Sequence, residues 1–329
     1  MEVLRSLDEA AARGTLRGSA VAIGNFDGVH LGHQRLLALA RARAADRGTR
    51  AAVLTFEPHP VRVLRPALAP PLVTSLPRKL ELLAEYGVDA TVIQPFDLAY
   101  AGTPASEFVA RDLASRLGCA DVVVGYDFTA GHERARVDTL RPLLAAAGVR
   151  LNLIEPVTAD GLVVSSTKVR EFLLEGNVQA AALLLTRPYD LDGTVARGAG
   201  RGRGFGFATA NVATAGLLPA NGVYGVRAIV GRPGGPPSPG GRAGEIYGGV
   251  CNVGVKPTVE AGAAVVAEAH LLDFDGRDLY GEPIRLAFLE RLRDERRFPS
   301  VDDLRAQIAR DVDSARAALA ARRVGMPTL

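Results

Sequence analysis

The sequence predicts an α/β protein in two parts, a doubly wound parallel sheet followed by a smaller all-β domain. Three observations predict it. Short apolar runs alternate with helical periods up to residue 186, β-type runs with glycine turns follow from residue 187, and 329 residues suffice for two cores. The expected domains are therefore residues 1–186 and 187–329.

In the first half the runs Val21-Ala22-Ile23, Ala51-Ala52-Val53-Leu54, Ala90-Thr91-Val92-Ile93 and Asp121-Val122-Val123-Val124 read as buried strands, with a further strand at Leu151-Asn152-Leu153-Ile154. Helical patterns lie between them, at 34–43, 78–84 and 105–110. Strand–helix alternation places ligands at the carboxyl ends of the strands, near the point where strand order reverses. Gly87 and Gly118 read as helix C-caps.

The second half changes texture. Runs at 189–195, 222–228, 245–250, 263–271 and 284–289 read as short strands of a sandwich or barrel. Residues 231–241 are Gly/Pro-rich and read as a loop. Residues 291–298, of mixed charge, read as a solvated helix face. The tail 301–323 reads as a helix with Leu304, Ile308, Val312, Ala315 and Leu319 on one packing stripe.

Composition narrows the function classes. Apolar residues make up 48% and charged residues 23%, as in ordinary soluble domains, and a net charge of +3 argues against a polyanion wrapped over the whole surface. Cys119 and Cys251 lie far apart and read as idle thiols of a reducing cytosol. The first ten residues carry acids where a signal peptide would be apolar, and no apolar run reaches membrane-spanning length. The expectation is a cytoplasmic protein acting on small molecules, with no nucleic-acid or membrane partner, as a monomer or transient homo-oligomer.

Chemistry concentrates at a few places. Residues 22–33 combine a strand, a turn with Gly24, Asn25 and Gly28, and His30 and His33 flanking Gly32 at a helix start. A helix N-terminus offers free amides and partial positive charge to a phosphate, and two imidazoles can steady charge developing on a phosphoryl oxygen. A metal site with Asp27 as third ligand is the competing reading; with no cysteine nearby, the phosphate site is preferred. Residues 55–60, with Phe56 and His59, and residues 125–128, with Asp127 and Phe128, fall at the same sheet edge. Ser166, Thr167, Lys168 and Arg170 open another helix, either as a simple N-cap or as polyphosphate ligands. In the second half, the basic glycine-rich stretch 198–211 carries Gly200, Arg201 and Gly206 for phosphates, with Thr209 and Asn211 as hard oxygens for Mg²⁺. A loose Arg-Gly nucleic-acid binder explains Thr209 and Asn211 poorly. Glu268, on an otherwise apolar strand pattern, is either a base or a satisfied strand acid.

In this order, the strings at 24–33, 55–60, 125–128, 165–170, 200–211, 221–224, 252–258, 268–274 and 278–281 resemble the prokaryotic bifunctional riboflavin kinase/FMN adenylyltransferase (FAD synthetase) family. The resemblance implies an adenylyltransferase domain followed by a six-stranded flavokinase β-barrel with a C-terminal helix. It implies phosphorylation of riboflavin by ATP to FMN, then adenylylation of FMN to FAD with release of pyrophosphate. By the same resemblance Glu268 is the kinase base, and Thr209 and Asn211 hold Mg²⁺. His30 and His33 steady the α-phosphorus, while Ser166, Thr167 and Arg170 grip the pyrophosphate. Gly24, Asn25, Gly32, Asp127, Gly200, Arg201 and Gly206 contact ATP. Phe56, His59, Phe128, Arg293, Arg297 and Phe298 belong to the flavin ends. The chain departs from the family at Ala208, where proline is usual, and at Thr129 and Ala130, where arginine and a second phenylalanine are usual; the latter implies loss of a flavin-side contact. The alternative is a riboflavin kinase with a vestigial or differently specific adenylyltransferase domain.

Overall fold

A computed structural model of the chain describes residues 1–197, 209–231, 244–258 and 262–322. Contacts divide it into two compact units, residues 1–72 with 76–166, and residues 73–75 with 167–329.

The first unit runs β1 (Glu2–Leu4), α1 (Leu7–Arg13), β2 (Ala20–Ile23), α2 (Leu31–Arg47), β3 (Ala51–Glu57), α3 (Pro60–Leu64), α4 (Leu76–Glu85), β4 (Ala90–Pro95), α5 (Leu98–Ala101) and α6 (Ala105–Glu107). A π-helix, Phe108–Leu117, continues α6 and is followed by β5 (Asp121–Gly125), α7 (Val137–Ala146), β6 (Arg150–Ile154) and the small hairpin β7 (Thr158–Ala159) and β8 (Leu162–Val163). Six parallel strands form one sheet in the order β1-β4-β3-β2-β5-β6. Side chains alternate between two cores. Val21, Ile23, Leu54, Val122 and Val124 join α1, the π-helix and α7 on one face, while Ala22, Val53 and Val123 join α2 and α4 on the other. That period of two, buried on both sides, is why the strands read as continuous apolar runs. From β2 the chain moves through β3 to β4, then returns to lay β5 on the other flank of β2. The carboxyl ends of β2 and β5 thus border the switch point. β1 is an edge strand that the sequence reading passed over.

The second unit holds α8 (Ser166–Leu174, whose first residue closes the first unit), α9 (Val178–Leu185), β9 (Tyr189–Ala196), β10 (Thr209–Ala213), β11 (Gly222–Val230), β12 (Glu245–Thr258), β13 (Gly262–Leu271), β14 (Pro283–Arg293) and α10 (Val301–Arg322). The six strands close into an antiparallel barrel in the order β10-β13-β12-β11-β14-β9. Tyr189, Tyr224 and Phe288 pack within it, with ring centroids 6.1 and 5.4 Å apart for Tyr189–Phe288 and Tyr224–Phe288. Residues 167–186 cluster with the barrel, and Ala220 donates its amide proton to the Leu173 carbonyl at 2.9 Å. α10 lies on the outer wall, with Ala315 packed against Val223 and Val250.

Two local expectations change. Residues 291–298 do not form a helix: Arg291 and Arg293 finish β14 opposite Tyr224 and Val223 of β11, with a register shift at Leu292, and 294–298 lead into α10 as a loop. Their charges are spent on fixing that connection, since Arg293 grips Asp311 of α10 through contacts of 2.8 to 3.1 Å. Thr209, Ala210 and Asn211, read as the end of a loop, belong to strand β10.

Candidate functional site

In the first unit the turn between β2 and α2 is held in a backbone state that most residues avoid. Phe26 and Val29 take φ of 51° and 42°, with Gly28 at 87° between them. Left-handed φ at a β-branched residue costs about 1–3 kcal/mol and survives where its surroundings over-determine it. Here both Phe26 and Val29 are fully buried in the core under α2. Polar bonds add to the hold: Gln34 donates from Nε2 to the Val29 carbonyl at 3.0 Å, and Ser166 donates its hydroxyl proton to the Asp27 carbonyl at 2.8 Å. Thr55 donates to the Asn25 carbonyl at 3.4 Å.

This turn delivers the two histidines. His30 caps α2, its Nδ1 accepting the His33 amide proton at 3.4 Å. A neutral His30 therefore carries its proton on Nε2. Its ring stacks on that of His33 with centroids 3.6 Å apart and planes 18° from parallel. A Cβ at position 32 would come within 3.2 Å of the His30 ring, so Gly32 leaves room for the stack. Burial, the neighbouring His30 and the charge of Lys79 push the His33 pKa well below its usual 6.5, so His33 is neutral near pH 7. Its Nδ1 is shielded and has no hydrogen-bond partner. Among the described residues no cluster of three or more His, Cys, Asp or Glu is placed to hold a metal ion, which leaves the metal reading of His30, His33 and Asp27 unsupported.

Around the same sheet edge the other expected residues separate. Gly24 and Asn25 continue from β2, and Asp127 follows β5, across the switch point. Phe56, the penultimate residue of β3, makes ring contacts with Phe96 and Tyr100 at 5.8 and 6.2 Å. His59 is buried and caps α3, its Nδ1 accepting the Val61 amide proton at 3.3 Å. Phe128 packs on the core, and Ala130 is buried within it, bridged through its backbone to Ala135. Gly131 follows at φ 74°, where a Cβ would strike the Ala105 nitrogen at 2.4 Å. Position 130 thus serves packing in this chain. Thr167 and Arg170 sit in the first turns of α8, in the second unit; Arg170 is buried. Ser166 and Thr167 are the first two residues of α8 itself, and the Ser166 hydroxyl donates its proton to the Asp27 carbonyl.

Sequence reasoning missed Lys79. It sits in the first turn of α4 with only 3% of its surface exposed, near the charges of Asp27 and Glu57. The available signal was its spacing, since Lys79 shares one helical stripe with buried Leu82 and Leu83.

The barrel arranges its groups by register. Asn211 of β10 pairs with Glu268 of β13, and Glu268 pairs with Asn252 of β12. Paired residues on adjacent strands share a face, so Asn211, Glu268 and Asn252 form one row. Ala267 and Ala269, flanking Glu268, are fully buried, which puts the row on the opposite face, the outer one. Thr209 lies two residues before Asn211 and shares that face. Asn252 donates from Nδ2 to Glu295 at 3.0 Å, and Glu295 also lies close over Gly254. A hydroxyl, a carboxamide and a carboxylate on one face form a hard-oxygen set suited to Mg²⁺, which keeps several waters. Arg293 is tied to Asp311, and its guanidinium lies 5.6 Å from the ring centroid of Phe298. Arg297 is exposed in the loop. Gly200, Arg201 and Gly206, with Ala208, lie outside the described residues, as do residues 232–243.

The two halves match two families. Residues 12–168 match FAD synthetase and residues 185–319 match riboflavin kinase. The bifunctional riboflavin kinase/FMN adenylyltransferase of Pseudomonas fluorescens is 37% identical over 319 residues, covering 96% of this chain and 97% of that protein. The protein of the same description from Haemophilus influenzae is 35% identical, covering 96% of this chain and 99% of its own. A crystal structure from Streptococcus pneumoniae, described as a macrolide-efflux protein, superposes with a TM-score of 0.83 at 28% identity over 96% of this chain and 99% of its own. No helix among the described residues is long and apolar enough to cross a membrane.

Proposed function

The chain belongs to the bifunctional riboflavin kinase/FMN adenylyltransferase family, and from that premise we propose that it makes FAD from riboflavin in two ATP-dependent steps. The second unit phosphorylates riboflavin to FMN. The first transfers the adenylyl group of ATP to FMN, releasing pyrophosphate. The observation that carries this reading is the coverage of both halves by relatives bearing both activities, end to end.

In the kinase step the ribityl 5′-hydroxyl attacks the γ-phosphorus of ATP. Glu268 accepts the hydroxyl proton, its carboxylate held in register between Asn211 and Asn252. Thr209 and Asn211 would hold Mg²⁺, which would offset phosphate charge when bound. Gly200, Arg201 and Gly206 supply amides and charge to ATP, and Arg297 and Phe298 border the flavin.

In the adenylyl step the FMN phosphate is already an anion at neutral pH and needs no strong base. It attacks the α-phosphorus, and the bond to pyrophosphate breaks. His30 donates from Nε2 to a phosphoryl oxygen, a role consistent with the cap that occupies its Nδ1. His33, kept neutral by burial, lies parallel against it and completes the surface for the departing pyrophosphate. Ser166, Thr167 and Arg170 bind phosphates from the start of α8. Asn25 and Asp127 position the nucleotide, with Gly24 and Gly32 allowing close approach. Phe56, His59 and Phe128 border the flavin.

The test is a product assay on the full-length chain with riboflavin, ATP and Mg²⁺, resolving FMN from FAD. Both products are expected. FMN without FAD would reduce the first unit to a vestigial or differently specific transferase, and neither product would overturn the reading.

A further inference from the structure

Lys79 is a charged side chain of the first unit that neither reaction as derived above uses. The crossover from β3 to β4 starts α4 at the carboxyl edge of the sheet, the edge that carries the histidine turn, and Lys79 is in its first turn. The side chain is almost wholly buried. Groups from three elements surround it. Asp27 after β2 and Glu57 at the end of β3 act on it as nearby negative charges, and His33 of α2 feels its positive charge. On its own helix, Glu81 and Glu85 are engaged by Arg78 at 3.1 and 2.9 Å. No hydrogen bond or ion pair within 4 Å holds the Lys79 ammonium among the described residues.

A buried ammonium without a close partner is strongly unfavourable, and a purely structural counter-ion would be in contact with its carboxylates. The ring of His33 feels the Lys79 charge, and its Nδ1 is buried and unbonded. One orphaned imidazole nitrogen and the charge of a lysine that no side chain ion-pairs thus act on each other at the strand end where α2 begins. That combination matches a phosphate. We infer that Lys79 is a substrate-contacting residue of the first unit, its ammonium binding a phosphate of one of the two phosphorylated substrates. The inference rests on reading this unit as the FMN adenylyltransferase.

The experiment compares the full-length chain with Lys79→Met, a variant that removes the charge and keeps the apolar stem. Adenylylation of supplied FMN is followed with ATP and FMN varied separately. One KM is expected to rise about 10- to 100-fold, as for loss of a charge-assisted hydrogen bond. The ATP arm identifies the polyphosphate, the FMN arm its monophosphate. Thermal stability should hold or rise, and Lys79→Arg should recover part of the loss. Unchanged values of both KM, with or without a fall in kcat, overturn the inference.

Should Lys79→Met not fold, Lys79→Gln enters the same two assays, and unchanged values of both KM overturn the contact. A native chain that makes no FAD would instead fail the functional reading, while direct titration of pyrophosphate and of FMN into the native chain and the variant still reads the contact by itself, equal affinities for both ligands overturning it.

Discussion

The two units place their candidate site groups by opposite means. In the first, the histidines stand on a turn whose backbone is strained at Phe26 and Val29 and is held by burial from below. In the second, Asn211, Glu268 and Asn252 stand on three neighbouring strands, and barrel register alone aligns them. A turn can bring two imzidazole rings to 3.6 Å and surround one with low dielectric, which strand spacing does not provide. A strand row holds unlike groups at fixed intervals with no strained residue. The difference suits the chemistry: adenylyl transfer needs dense hydrogen-bond donors around one phosphorus, whereas the kinase step needs a base and oxygen donors spread along a hydroxyl–phosphate line.

The largest effects should come from exchanging damage between the units. Glu268→Gln is expected to lower FMN formation by about 10²–10⁴-fold, the range for a general base, and to spare FAD formation from supplied FMN. His30→Ala with His33→Ala should do the reverse, lowering FAD formation by about 10²–10³-fold or more with FMN formation intact. Either variant abolishing both activities would break the comparison. Next, Asn211→Ala should slow FMN formation by about 10–100-fold and raise the Mg²⁺ concentration at half-maximal rate. An unchanged Mg²⁺ dependence would remove Asn211 from the metal's oxygen set.

Two smaller effects read the scaffolds rather than the sites. Arg293→Ala removes the guanidinium partner of the Asp311 carboxylate, which is only 5% exposed and keeps a 2.7 Å hydrogen bond from Gln307 Nε2. It should destabilise the second unit by roughly 2–4 kcal/mol, seen as a lower denaturation midpoint for the barrel and not the sheet. The His33 pH dependence has the opposite address. Its folded pKa lies below the usual 6.5, so the unfolded chain binds the proton first. The stability it contributes is present above about pH 6.5 and is lost as pH falls, by at most about 1.4 kcal/mol per pH unit. His33→Gln should flatten that fall in the first unit and leave the second unchanged, as measured by denaturation between pH 5 and pH 7 (about the span of histidine titration).

Much of the sheet was legible because a strand buried on both faces announces itself in consecutive apolar residues, as at 51–54 and 121–124. The histidine turn was legible because strand, glycine and helix start are local. Residues 291–298 misled because alternating charge has the same look on a helix face and at a strand end, and only pairing with β11 distinguishes them. Lys79 escaped notice because a lone lysine on a helix is ordinarily solvated, and its burial depends on β2 and β3 arriving beside it. Ala130 shows the converse: at the sequence level it reads as a lost aromatic, and in the fold its methyl fills the core.

By itself, then, the sequence determined most of the elements, their order and the change from parallel to antiparallel texture, and it nominated the candidate site residues, since periodicity and turn chemistry act over a few residues. Tertiary structure alone decided which strands border the switch point, that Asn211, Glu268 and Asn252 share a row, that His33 is neutral and that Lys79 is buried. Those properties depend on register and desolvation, which arise only when segments distant in the chain exclude water together.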